Sequence, residues 1–197
     1  YNLKNREEVN ELDIEFGKEY ILEKKVDLKK EISVVITRFL NNDFIIYEPI
    51  ENLHVNQMLS RSIIPAEIDK IIYEKAQQHA RLIAEKLDYT GTMCVEYFID
   101  KNNNLLVNEI APRVHNSGHL TINTHNVSQF ENHVRAVCNL EKVELKKIYN
   151  AEMINIIGED IKNYRNKSYS QNEFFFDYLK TEIKKKRKMG HLTTIKP

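Results

Sequence analysis

Two carboxylates stand out from the rest of the chain by where they sit. Glu96 lies within TMCVEYFI (92–99) and Glu109 within LLVNEIA (105–111). Both runs are rich in β-branched and aromatic residues and read as strands around the loop DKNNN. A hairpin closed by the four residues KNNN places Glu96 directly opposite Glu109. Side chains paired in this way stand about 4.5–5.5 Å apart at Cβ, where like charges are destabilising. Met93, Val95, Phe98, Ile99, Leu106, Val107 and Ile110 are expected to fill both faces of a well-buried hairpin. Carboxylates in such a setting need a shared proton or a cation. Oxygen donors of this number suit Mg²⁺ or Mn²⁺, with phosphate oxygens completing the shell. The plainer alternative is that the two glutamates face solvent or lysines, and a one-residue slip in register would separate them.

Directly after the second strand, NEIAPRVHNSGH (108–119) gathers an arginine, two histidines, two asparagines and a serine. Hydrogen-bonding groups at this density beside a carboxylate pair point to a site that meets a polar substrate, although Arg113 after Pro112 could also be a strand-end ion pair. His119, His125 and His133 have no metal-ligand spacing. Cys94 and Cys138 read as small core residues.

The elements that must carry these groups are legible in outline. Residues 20–26, 31–39 and 43–50 read as strands, with NND (41–43) as a turn. In 66–87, Ile68, Ile71, Ile72, Ala76, Ala80, Ile83 and Leu87 recur at helical spacing, predicting one buried helix face. Ser128 and Glu131 form a capping-box pattern opening a second helix. After about residue 147 the texture changes: AEMINIIG reads as a strand, 159–173 is polar, EFFFDYL is apolar and KTEIKKKRK is basic. The expectation is an α+β protein, with 1–147 as a main domain and 148–197 as a small strand-rich subdomain. Lys plus Arg and Asp plus Glu both number 29, so no net field favours nucleic acid or membrane. No apolar run approaches a membrane span. Two cysteines in a chain of this size suggest a reducing compartment, hence the cytoplasm. The chain begins without Met, which suggests a piece of something longer.

The stretch VEYFIDKNNNLLVNEIAPRVHNSGHLTINTHNVSQFENHVRAV resembles the N5-carboxyaminoimidazole ribonucleotide synthase family of ATP-grasp enzymes, most specifically in VNEIAPRVHNSGH. Weaker similarity reaches back through ENLH and ILEKKVDLKKEIS and forward to RKMGHLT. The resemblance implies ATP- and bicarbonate-dependent carboxylation of aminoimidazole ribonucleotide through carboxyphosphate, in purine biosynthesis. It also implies the C-terminal half of an ATP-grasp fold, and a homodimer for the full-length enzyme. By the same resemblance Glu96 and Glu109 hold Mg²⁺ (or Mn²⁺), with Asn108 beside them in the ATP site. Glu23, Lys24, Lys25 and Val26 form the strand edge that meets adenine, Glu31 binds the ribose hydroxyls, and His54 lies near ATP. Arg113, His115, Asn116 and Ser117 form the loop that holds substrate and carboxyphosphate, and Lys180 and Arg187 grip the substrate phosphate. Lys184, Lys185, Lys186 and Lys188 are expected to be ordinary surface charges.

Two features depart from the family. Asn123 stands where many relatives have an acidic residue. The chain's five glycines include no glycine-rich lid, so a lid and a preceding Rossmann-like domain are expected to be missing. Competing readings are another ATP-grasp ligase, such as a formate-dependent glycinamide ribonucleotide transformylase or a biotin-carboxylase-like protein, and a non-catalytic module that binds nucleic acid through KKKRK (184–188).

Overall fold

In the computed structural model, which describes residues 3–15 and 17–196, the chain is organised around one large antiparallel sheet. Its strands are β1 (Leu28–Arg38), β2 (Phe44–Ile46), β3 (Ile50–Val55), β4 (Met58–Ile64), β5 (Gly91–Asp100), β6 (Leu105–Ala111), β7 (Asn150–Ile157), β8 (Glu173–Asp177) and β9 (Lys188–Lys196). They lie in the order β6-β5-β1-β3-β4-β7-β9-β8, with β2 paired to β1 off this path. Helices α1 (Glu7–Asn10), α2 (Lys70–Lys86), α3 (Thr121–Thr124), α4 (Gln129–Val137) and α5 (Ile161–Arg165) complete the expected α+β fold. Because β7 pairs with β4, the sheet continues without a break from the first part of the chain into the last.

The period-2 alternation of β1 gives the sheet two unlike faces. Ile32, Val34 and Ile36, with Met93, Val95, Tyr97 and Ile99 of β5, pack against Ile72, Ala76, Ala80 and Ala84 of α2. The three alanines are fully buried, so the helix lies close to the strands. The other face carries Ser33, Val35 and Thr37 beside Glu96, Cys94 and Thr92. At one end it is covered by Leu120 and Ala136, which close over Val35, Cys94 and Ala111. At the other end it stays polar. The covering helix α4 is capped as expected, with the Ser128 hydroxyl accepting from the Glu131 amide at 3.2 Å. Tyr47 fastens it by donating to the Val127 carbonyl (2.9 Å) and accepting from Asn132 (2.7 Å).

Several expectations change. Residues 20–26 are not a strand: β1 begins at Leu28, and both its flanks are taken by β5 and β3, leaving that segment no partner. Ile21 and Leu22 are exposed. The run 43–50 divides into β2 and the start of β3, with Pro49, which has no N–H to donate, between them. β4 carried no sequence signal because its hairpin turns on Asn56 and Gln57, both at positive φ, with no glycine to mark it. Within the predicted helix, Ile71 and Leu87 are exposed, because the buried face follows Ile72, Ala76, Ala80 and Ala84. The β5–β6 hairpin is buried mainly on β5: β6 is an edge strand, buried only at Leu105 and Ala111, and Leu106, Val107, Glu109 and Ile110 are exposed.

Enlarging the α2 contact should therefore strain the fold. Ala80→Leu is expected to cost about 1–3 kcal/mol by overpacking. Ile71→Ala should stay within about 0.5 kcal/mol. Urea unfolding of the two variants measures the difference.

Candidate functional site

Glu96 and Glu109 face each other across the β5–β6 ladder, as the sequence predicts. The register is reached differently from the four-residue turn that was expected. The turn is tighter, with the Asp100 amide donating to the Asn104 carbonyl, Asn103 at φ 63° and the Asp100 carboxylate accepting from the amides of Asn102 and Asn104. The pairing then shifts by one residue between Tyr97↔Val107 and Glu96↔Glu109, leaving Asn108 as a β-bulge. Bulges of this kind re-aim side chains beside functional sites. Here the bulge restores the carboxylate pairing that the shorter turn would have lost.

His115 joins the pair: its Nε2 lies 2.9 Å from Glu96 Oε1, and its Nδ1 lies 2.8 Å from Ser117 Oγ. Burial disfavours the imidazolium, but contacts with Cys94 and Glu96 outweigh it and raise the His115 pKa well above its ordinary value. The hydrogen bond from His115 in turn holds the Glu96 carboxyl below its usual range, against the effect of burial. The loop is fixed by Gln129, whose amide brackets the His115 backbone by accepting from its N–H (2.9 Å) and donating to its carbonyl (2.6 Å). A Cβ at Gly118 would meet Gln129 Oε1 at 2.6 Å, so this bracket requires glycine there. Asn116 is tied down by Asn155, whose Nδ2 donates to its Oδ1 at 2.6 Å. Arg113 is exposed, and its guanidinium donates to the Val114 carbonyl at 3.1 Å while keeping further N–H groups available to a ligand.

Further along the same face, Glu31 of β1 and His54 of β3 are in direct contact. They line a cavity of about 330 Å³ with Lys30, Glu51, Asn52 and Arg61. Glu23, Lys24 and Lys25 line a neighbouring hollow with Tyr20, Leu22 and Phe98. Val26 follows them directly in the chain. Phe98 pairs with Glu31 in the ladder, so the two hollows adjoin.

In the C-terminal strands, Lys180 Nζ donates to the Lys188 carbonyl (2.6 Å) and sits 5.2 Å from the centre of the Tyr178 ring. Arg187 donates to the Glu182 carbonyl at 3.2 Å. Lys188 is not the surface charge that was expected. It is half-buried, its pKa is lowered chiefly by burial, and it lies near enough to Glu96 and Arg113 to feel both charges. The run KKKRK could not separate it from its neighbours, because only the start of β9 turns it toward the site. Gln129, Ser33, Asn52 and Ser62 were also missed, since lone polar residues inside strands and helices carry no motif.

Two facing carboxylates suit a hard divalent cation that takes its remaining ligands from phosphates and water. Among the described residues no cluster of three or more His, Cys, Asp or Glu side chains forms a protein-only metal cage. Glu96 and Glu109 supply two oxygen donors of the kind such an ion takes.

The antiparallel sheet aligns the paired carboxylates with an adjoining cavity, and residues 1–130 match the model of the ATP-grasp domain: the chain belongs to the ATP-grasp family. Residues 151–197 match the phosphoribosylaminoimidazole carboxylase C-terminal domain. The chain is 41% identical over 177 residues to the N5-carboxyaminoimidazole ribonucleotide synthase of Bacillus subtilis (strain 168), covering 89% of this chain and 47% of that protein. With the synthase of Staphylococcus aureus (strain MRSA252) the identity is 40%, covering 94% and 51%. The Staphylococcus aureus N5-carboxyaminoimidazole synthetase complexed with ADP superposes with a TM-score of 0.82 at 39% identity, over 88% of this chain and 48% of that one. The Aspergillus clavatus synthase in complex with ADP and 5-aminoimidazole ribonucleotide gives 0.83 at 30% identity, over 88% and 48%. The chain spans about half the length of the relatives it matches.

Three other histidines set a pH dependence of stability. Burial lowers His119 to about 3, and His125 and His191 to about 4. His119 and His191 share the Tyr178 hydroxyl, at 2.8 and 3.0 Å. Unfolding exposes these rings to water, where they bind protons below about pH 6.5, so the unfolded state takes up more protons in this window. Stability should be intact above about pH 6.5 and fall as the pH drops toward 4. The raised pKa of His115 acts in a different window, above 6.5. Urea midpoints at pH 7 and pH 5 measure the fall, and His125→Gln should reduce it.

Proposed function

We propose that the protein containing this chain uses ATP and bicarbonate to carboxylate the exocyclic amine of 5-aminoimidazole ribonucleotide. The observation that carries the reading is the Glu96–Glu109 pair opening directly onto the Arg113–Ser117 loop. Bicarbonate oxygen would attack the γ-phosphorus of ATP, releasing ADP and forming carboxyphosphate. The substrate amine would then attack the carboxyl carbon, phosphate would leave, and the amine proton would pass to a nearby base. Mg²⁺ held by Glu96 and Glu109 would neutralise charge on the transferring phosphoryl group. Asn108 completes that end of the site. Glu31 accepts from the ribose hydroxyls beside His54, and the backbone of Glu23, Lys24, Lys25 and Val26 meets adenine. Arg113, His115, Asn116 and Ser117 hold the carboxyphosphate, with the Arg113 guanidinium offering paired donors to its oxygens. Lys180 and Arg187 receive the substrate phosphate. In this reading residues 1–147 carry the nucleotide end and 148–197 the phosphate end. The setting is the cytoplasm, which suits the free thiols of Cys94 and Cys138, and the resemblance to the family supports a homodimer. Among the described residues no helix is long and apolar enough to cross a membrane.

In the full-length protein, Glu109→Gln should abolish turnover while the circular dichroism spectrum stays native. Wild-type rates in that variant would remove the metal role. Arg187→Ala should raise KM for aminoimidazole ribonucleotide about ten- to a hundredfold, the equivalent of one charge-assisted bond of about 1.5–3 kcal/mol. KM for ATP should barely move, and Lys185→Ala should change neither. If Arg187→Ala and Lys185→Ala behave alike in steady-state kinetics, the tail is a basic surface and no more.

A further inference from the structure

The polar face of the sheet contains a buried chain of side-chain hydrogen bonds that no motif announces. Ser62 Oγ of β4 donates to Asn52 Oδ1 of β3 at 2.9 Å, and Asn52 Nδ2 donates to Ser33 Oγ of β1 at 2.8 Å. Ser33 Oγ lies 2.8 Å from Ser117 Oγ, which contacts His115 Nδ1 at 2.8 Å, and His115 Nε2 meets Glu96 at 2.9 Å. Ser33, Ser62 and Ser117 are fully buried and Asn52 is 7% exposed.

The donor inventory fixes the direction of this chain from Ser62 through Asn52 to Ser33. Each serine has one proton to give. Ser33 accepts from Asn52, and either hydroxyl can donate in its bond with Ser117. The far end, Ser62, stops inside the sheet, so the chain has no outlet through which to conduct protons. Its remaining capacity is to hold. Strands β4, β3 and β1 are already tied by backbone ladders, whereas the loop at 115–117 is not part of the sheet.

We infer that Ser33, Asn52 and Ser62 form a positioning strut, which sets the Ser117 hydroxyl and through it the His115 ring that faces Glu96. Ser33 and Ser62 need not touch a substrate. The catalytic meaning of the strut rests on the reading of His115 and Ser117 given above, but its existence as a constraint on His115 does not.

The test uses an isosteric pair at the end farthest from His115. Ser62→Thr keeps the hydroxyl, whereas Ser62→Val has the same shape without it. Ring-nitrogen NMR of ¹⁵N-histidine-labelled chain reads His115 directly, with His133, held by the Thr92 amide at 3.1 Å, as the internal control. The strut predicts native His115 signals in Ser62→Thr, displaced or broadened signals in Ser62→Val, and His133 unmoved in both. Ser33→Ala, which removes only a hydroxyl, should displace His115 further and serves if the Val variant does not fold. In the full-length enzyme, Ser62→Val should lower kcat about ten- to a hundredfold, as small misplacements do, with KM for ATP unchanged and activity restored in Ser62→Thr. Identical His115 signals in Val, Thr and wild type would overturn the strut. Displaced signals in a full-length protein that carboxylates nothing would overturn the functional reading and leave the strut standing.

Discussion

Two negative charges held face to face are the constraint around which this fold is arranged. Like charges in directly opposed ladder positions repel, so Glu96 and Glu109 persist as neighbours only because the structure leaves them no other register. The tight turn at 101–103 and the bulge at Asn108 set that register. The β1–β5 ladder, paired from Arg38↔Gly91 to Leu28↔Asp100, then anchors Glu96 to the centre of the sheet. His115 holds one carboxylate from the side. A cation bridging phosphate oxygens would bind both carboxylates.

The two faces of the sheet divide the work of stability and chemistry. One face packs against the alanine-lined side of α2 in a wholly apolar contact. That rigidity lets the other face hold buried serines, an asparagine and a histidine in fixed geometry, since a polar network is stable inside a protein only when its members are satisfied. Glu31 and His54 lie at one end of this face and the 113–117 loop at the other, so a nucleotide stretched along it would run from the cavity beside Glu31 to the carboxylate pair. The C-terminal strands continue the same sheet and bring Lys188 near Glu96 and Arg113.

What the sequence disclosed was uneven, and the reasons are physical. The carboxylate pair was readable because hairpin register follows from strand periodicity. The turn and the bulge offset each other, so the pairing was right although the loop was not. The α2 face was readable from its 3.6-residue repeat, apart from Ile71 and Leu87 at its margins. β4 was not, because its turn used Asn56-Gln57 instead of glycine. The segment 20–26 has strand composition but no partner, and pairing is decided by tertiary neighbours, not by propensity. The roles of Lys188, Gln129 and Ser33 depend on which residues arrive opposite them in space, information that a single sequence holds only implicitly.

The account is tested most directly by placing a paramagnetic ion where the diamagnetic one is expected. Adding Mn²⁺ with ADP to the ¹⁵N-labelled chain should broaden the amides of 95–97 and 108–110 first, together with His115, and Glu96→Gln should remove the effect. Broadening that is strongest elsewhere, such as along 182–187, or that is unchanged in Glu96→Gln, would contradict the claim that the facing glutamates are the metal–phosphate site.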